Sequence, residues 1–245
     1  MMRITWLGQG GLLLEHQGRT VMIDPYLSDS VEKSNPRMKR LVPADPRLSE
    51  TIVDILICTH DHLDHTDPGT LNRLLDISRE VTVLASRNAW NTVRELGFMQ
   101  HNVIQFDTGT EVTVQDIHFY AIRAVHSDEA AIGVWISWDD LDIYVTGDTL
   151  YHPAIFSSLP GCPDMLFVCI NGYGNNMNIV DAVQFANHVG AQCTIPVHWG
   201  MFAAADADPE QFKKQMKRST WIPKIYQTVY WINRKRGLQN SICLI

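Results

Sequence analysis

Apolar and polar positions alternate along this chain in short blocks. The N-terminal part predicts three strands, Arg3 to Leu7, Leu12 to His16 and Thr20 to Ile23, separated by glycine-bearing turns, first GQGG and then His16-Gln-Gly-Arg. They read as a meander. Asp54 to Cys58 is a continuous apolar run of the kind buried on both faces of a sheet. Helix signals follow: Asp67-Pro68 puts a polar cap before a proline at the first helical position, leading into Leu71, Leu74 and Leu75. Ser86 is expected to cap a second helix that stops at Gly97.

From Val103 to Val145 the pattern returns to strands, among them Ile117 to Ile122, Ala131 to Ser137 and Leu141 to Val145. Beyond Gly147, Met165 to Cys169 and Thr194 to Val197 predict strands. Asn178 to Val189 predicts a helix with Ile179, Val183 and Ala186 along one face, and Asp208-Pro209 starts a last helix through Lys217. Strands and helices thus fall into two similar blocks, each with a sheet that needs covering, although no sequence repeat relates them. This order predicts an α/β fold, a four-layer α/β/β/α sandwich, with residues 1–245 as a single domain.

Composition narrows the class of protein. A chain of 245 residues, 45% hydrophobic and 19% charged, can bury one large core and has no bias toward disorder. No apolar run reaches membrane-spanning length, the start MMRITWLGQGG has no export-signal pattern, and the five cysteines are scattered without a CxxC pair. A cytoplasmic protein without disulfides or a membrane partner is expected. The formal charge of −7 repels phosphate backbones, so a small-molecule substrate is expected rather than nucleic acid. Arg234-Lys-Arg236, the one short basic run, reads as a solvated turn. No pattern reveals the oligomeric state, and Trp221 to Ile245 shows no pattern we can place.

The chemistry concentrates in CTHDHLDHTD, Cys58 to Asp67, where three histidines and three aspartates follow a buried strand. His60 and His62 are two apart, so an extended backbone points both to one side. Asp64 and His65 come next, where the turn into the following helix lets them face a second ion beside the first. The bland alternative is a histidine-rich polar loop. Two metals need more ligands than one loop supplies, and candidates stand after other apolar strands: His126 after Phe119 to Val125, Asp148 after Ile143-Tyr-Val-Thr-Gly, His198 after Thr194-Ile-Pro-Val. Imidazole and carboxylate ligands do not select among zinc, manganese and iron.

These stretches resemble the metallo-β-lactamase-fold hydrolases, with THDHLDH as that family's HxHxDH motif. Within it the chain is most similar to the group containing L-ascorbate-6-phosphate lactonase, through ITWLGQGG, MIDPYLSDS, CTHDHLDHTDP, TGDTLYH, NGYGNNMN and IPVHWGMF. The resemblance implies two divalent ions, His60, His62 and His126 on one, Asp64, His65 and His198 on the other, and Asp148 bridging. It favours manganese. Asp24, in MIDP, is either the aspartate that orients the ligand loop from behind or a turn residue before Pro25. Asn171 and Asn176 either belong to a turn and helix cap or touch substrate, and His152 can line the pocket. Cys58 is read as a small core residue, and His16, His101, His118 and His188 as ordinary strand or helix residues.

The implied reaction is attack of a bridging hydroxide on the carbonyl of a small lactone or ester such as a sugar-acid lactone phosphate, with Asp64 as the catalytic proton carrier. A small-molecule phosphodiesterase uses the same centre, and a metal-binding scaffold without turnover is the alternative from another class. A flavin-linked di-iron oxygen reductase is disfavoured, because that branch is expected to carry glutamate where His62 stands.

Overall fold

The computed structural model of the protein describes residues 1–231. Arg234-Lys-Arg236 and the end of the Trp221 to Ile245 segment therefore lie outside the described residues. The chain opens with β1 (Met2–Gly8), β2 (Gly11–His16), β3 (Arg19–Ile23), β4 (Ile55–Cys58), β5 (Thr82–Ala85) and β6 (Asn102–Gln105). It continues with β7 (Glu111–Val114), β8 (Ile117–Arg123), β9 (Ile132–Trp138), β10 (Leu141–Val145), β11 (Met165–Cys169), β12 (Cys193–Val197) and β13 (Thr228–Trp231). One sheet has the order β13-β1-β2-β3-β4-β5-β6 and the other β12-β11-β10-β9-β8-β7. The helices are α1 (Ser30–Ser34), α2 (Pro68–Ile77), α3 (Arg87–Glu95), α4 (Pro153–Phe156), α5 (Ile179–Val189) and α6 (Pro209–Gln215).

Period-two alternation on buried strands produces the layers. In β4, Ile55 and Ile57 enter the apolar cluster between the sheets, where Trp6, Phe119 and Phe167 also lie. Leu56 and Cys58 of the same strand face outward, against Leu71 and Leu74 of α2 and Val93 of α3. In β11, Met165 and Phe167 face inward, while Leu166 and Val168 meet Phe185 and Ala186 of α5. Each sheet therefore carries helices on its outer face and shares its inner face with the other sheet. The result is the expected α/β/β/α sandwich. Among the described residues no helix is long and apolar enough to cross a membrane.

Caps explain where the helices start. The Asp67 carboxylate accepts from Gly69 N at 3.0 Å, Asn178 Oδ1 from Asp181 N at 3.0 Å, and Asp208 Oδ1 from Glu210 N at 2.9 Å. Ser86 differs from expectation. It precedes α3, yet its hydroxyl is buried without a partner, and Asp107 Oδ1 instead accepts from Arg87 N at 2.8 Å. Gly97, with φ of 81°, follows the cap Leu96 and stops α3 as expected, whereas α6 ends at Gln215, two residues before Lys217. β13 is the larger departure: it lies in the segment without a readable pattern, pairs antiparallel with β1 and places Thr228 opposite Thr5.

Candidate metal centre

Strands β3, β4 and β5 run parallel in one sheet, and β10, β11 and β12 in the other. Chain leaving the carboxyl ends of such strands gathers in one crevice. Asp24 follows β3, His60, His62, Asp64 and His65 follow β4, Asp148 follows β10 and His198 follows β12. His126 comes shortly after β8, an antiparallel neighbour of β9. His60 and His62 stand beyond the strand rather than on it, in a bend closed by His65 N and Thr66 N donating to His62 O at 2.9 and 2.8 Å. Thr66 Oγ1 then donates to His60 O at 2.7 Å. This bend, and not an extended backbone, brings the two rings together, with centroids 4.6 Å apart.

The seven candidate ligands converge in two groups. Nε2 of His60 and Nε2 of His126 lie 3.1 and 3.2 Å from Nδ1 of His62. Asp64 Oδ2 lies 3.8 Å from His65 Nε2 and 3.6 Å from His198 Nε2. Each group keeps its ligand atoms within 4.8 Å of one another. Asp148 stands between them. Its Oδ1 is 3.2 Å from His198 Nε2 and 3.4 Å from His65 Nε2, while Oδ2 is 3.9 Å from His126 Nε2.

Asp24 could be grouped with His60 and His65, since all three are fully buried. Its carboxylate is already occupied, however. Oδ1 accepts from Thr59 N at 2.8 Å, and Oδ2 from Thr59 Oγ1 at 2.6 Å and from His65 Nδ1 at 2.8 Å. A carboxylate can only accept, so the proton sits on His65 Nδ1 and Nε2 is turned to the site. Thr59 Oγ1 in turn lies 3.1 Å from His60 Nδ1. Asp24 therefore orients ligands of both groups from behind them, one directly and one through Thr59.

Several observations fit this donor set to divalent cations. Asp148 Oδ1 is buried without a hydrogen-bond partner, a site with a charge to satisfy. Burial, with His65 adding to it, holds the His60 ring well below the usual histidine range, and burial also lowers His126, so both present neutral imidazoles. Burial pulls His65 down as well, but the carboxylates of Asp148, Asp64 and Asp24 outweigh it and raise the ring well above its ordinary value. Burial pushes Asp148 up, and His198 and His65 reverse that to hold it well below the carboxylate range. The field that favours a proton on His65 equally favours a metal cation in its place.

Backbone strain supports the same region. Gln9, Asp24 and His198 adopt φ of 47, 43 and 64°, conformations that cost non-glycine residues about 1–3 kcal/mol each. The strain is held by hydrogen bonds: Asp24 N donates to Ile57 O and His198 N to Gln9 O, both at 2.9 Å. Gln9 was not recognised as a site residue in the sequence. Its Nε2 donates to Asp64 Oδ2 at 2.8 Å and lies 3.4 Å from both ring nitrogens of His198. Next to it, a Cβ at Gly10 would stand 2.7 Å from His65 Cε1 and 3.0 Å from Nδ1. Gly10→Ala is expected to displace that ring and weaken metal binding by about tenfold or more while the fold persists. Competition with a chromophoric chelator measures this.

The remaining candidates divide. Asn176 is buried, and its Nδ2 donates to Asp148 Oδ2 at 2.8 Å and to Asn171 Oδ1 at 3.1 Å. Both asparagines line a cavity of about 140 Å³ that also reaches His62, Asp64, His126 and His198. His152 does not line it. Its Nδ1 accepts from Ala154 N at 3.2 Å, because the start of α4 at Pro153 makes it the helix cap. Cys58 packs in the outer-face core, where burial pushes its thiol up.

A two-sheet sandwich with histidines and aspartates gathered beyond its strand ends has the architecture of the metallo-β-lactamase fold. Residues 19–199 match the beta-lactamase superfamily domain, and the chain belongs to that superfamily. It also belongs with the UPF0173 metal-dependent hydrolases: one from Hyperthermus butylicus is 32% identical over 86% of this chain and 89% of the relative. Igni18, a metallo hydrolase from Ignicoccus hospitalis, superposes with a TM-score of 0.72 at 21% identity, over 93% of this chain and 97% of that one. An isothiocyanate hydrolase from Delia radicum gut bacteria superposes at 0.74 and 18% identity, over 93% and 98%. The protein is thus a metal-dependent hydrolase of this superfamily.

Proposed function

We propose that the protein opens a small lactone or ester at a centre of two divalent ions. His60, His62 and His126 would hold one, Asp64, His65 and His198 the other, and Asp148 would serve both. The observation that carries this reading is the split carboxylate of Asp148, whose Oδ1 faces His65 and His198 and whose Oδ2 faces His126. Manganese, zinc and iron all suit these ligands. When bound there, divalent ions would make water acidic enough to act as a nucleophile at neutral pH and would polarise the carbonyl oxygen. The chain's own groups do the rest. Asn176 fixes Asp148, Gln9 fixes Asp64, and Asp64 at the cavity passes a proton to the leaving oxygen. Water thereby adds across the acyl C–O bond: its hydroxyl goes to the carbonyl carbon and its proton reaches the leaving oxygen through Asp64. The products are an alcohol and a carboxylic acid that ionises by releasing one proton to solvent. The resemblance to L-ascorbate-6-phosphate lactonase supports the lactone part of the reading.

The test is hydrolysis of a simple γ-lactone, L-ascorbate 6-phosphate, a small phosphodiester and an alkyl isothiocyanate, the substrate class named for one similar structure. Protein reconstituted with manganese, zinc or iron is compared with chelator-stripped protein. Lactone opening that needs metal is expected. Turnover of the phosphodiester or isothiocyanate alone would replace the lactonase reading with that activity, and metal bound without any turnover would favour a scaffold.

A further inference from the structure

We infer that the substrate is compact and uncharged, with an apolar substituent lying against Val31, Met38 and Phe202. This rests on the hydrolase reading above. The cavity of about 140 Å³ falls well below the roughly 300–1,000 Å³ that encloses drug-sized ligands. Its lining has three parts, one of them the neutral polar stretch of Ser127, Asn171, Tyr173, Gly174 and Asn176. Histidines and aspartates form the reactive side, and Val31, Met38, Phe202 and Ala205 form an apolar wall that packs together as one cluster with Tyr26. Among the described residues no lysine or arginine lines it.

A substrate whose carbonyl sits on the reactive side has room for an apolar substituent against that wall. A phosphate there would be a doubly charged group without a partner, which is costly in an apolar site. Such groups are ordinarily met by arginine, lysine or the free N–H groups of a helix start. Among the described residues the lining supplies neither arginine nor lysine, and its neutral donors, Ser127, Asn171 and Tyr173, lie outside the apolar wall. Lys33, Arg37 and Lys39 come nearest in sequence to the wall, but all three are exposed and none lines the cavity. Arg40 is closer, since its backbone bridges to Phe202, yet its guanidinium is committed elsewhere. It donates to Tyr26 O at 2.8 Å, Ser28 O and Val42 O at 3.1 Å, and Tyr226 Oη at 2.7 Å. It also lies over the Tyr26 ring, 4.5 Å from the centroid. This cation holds the wall in place instead of facing the cavity.

The experiment compares three lactones with the metal-loaded full chain: γ-butyrolactone, γ-hexalactone and L-ascorbate 6-phosphate. The ethyl group of the hexalactone is expected to raise kcat/KM about tenfold or more over the bare ring, and to exceed the phosphorylated lactone by at least that factor. Met38→Lys, which brings a cation to the wall, is expected to shift the preference toward the phosphorylated lactone about tenfold. Preference of the wild type for L-ascorbate 6-phosphate overturns the inference even though lactone hydrolysis stands. If no lactone is opened, the lactone reading fails separately, and calorimetric binding of the same compounds decides: tighter γ-hexalactone sustains the inference, and equal or tighter L-ascorbate 6-phosphate overturns it.

Discussion

Asp64→Asn is expected to lower kcat by about 10²–10⁴-fold, the range for removing a positioned acid–base group, while the protein keeps its metal. Two features single out this residue. Asp64 lines the cavity with 19% of its side chain exposed, whereas Asp148 has 6% exposed and lies between the two ligand groups. Its Oδ2 is fixed by Gln9 and faces His65 and His198. An asparagine oxygen in that place still accepts from Gln9 and can still ligate, but the amide cannot carry a proton to a leaving group at neutral pH. Steady-state kinetics on whichever of the tested compounds the wild type turns over, with metal content measured on the same samples, separates the two roles. Slow turnover at full metal content supports proton transfer. Slow turnover accompanied by metal loss would reduce Asp64 to a ligand, and full activity would remove it from the chemistry.

Features that depend on local spacing were legible in the sequence. The β4 run reads directly as a strand buried on both faces, and HxHxDH follows it immediately, so four of the candidate ligands needed no long-range information. His126, Asp148 and His198 were found because each follows an apolar strand, and the crevice at the strand ends gathers such positions regardless of their separation. Gln9 shows where that logic stops. It meets Asp64 and His198, 55 and 189 residues away, only because β1 and β2 pair and turn the GQGG stretch toward the site. A polar residue flanked by glycines carries no sign of that contact. His152 misled for the opposite reason: closeness in sequence to Asp148 does not place it in the cavity, since Pro153 starts a helix and takes it as the cap. β13 is four residues long, and its alternation of buried Val229 and Trp231 acquires meaning only beside β1.

Asp24→Asn is expected to weaken metal binding by about 10–100-fold, the usual effect of losing a group that supports a ligand, with the fold retained. The substitution changes almost no volume, so its effect is chemical. Thr59 N donates to Oδ1 and keeps an oxygen there, which puts the new amide NH₂ at the position of Oδ2. Two donors now point at that NH₂: the Thr59 hydroxyl and the Nδ1 proton of His65. The hydroxyl can rotate and accept. The imidazole can accept at Nδ1 only by moving its proton to Nε2, the atom that faces Asp148 and His198 and would hold the metal. The ring would then stand in the correct place in the wrong tautomer. Chelator competition reads the loss of affinity, and ¹⁵N chemical shifts of the imidazole read the tautomer, a signature that simple destabilisation does not move. Unchanged affinity together with a proton still on Nδ1 would show that the charge of Asp24 is dispensable and that its contacts with Thr59 alone shape the ligand loop.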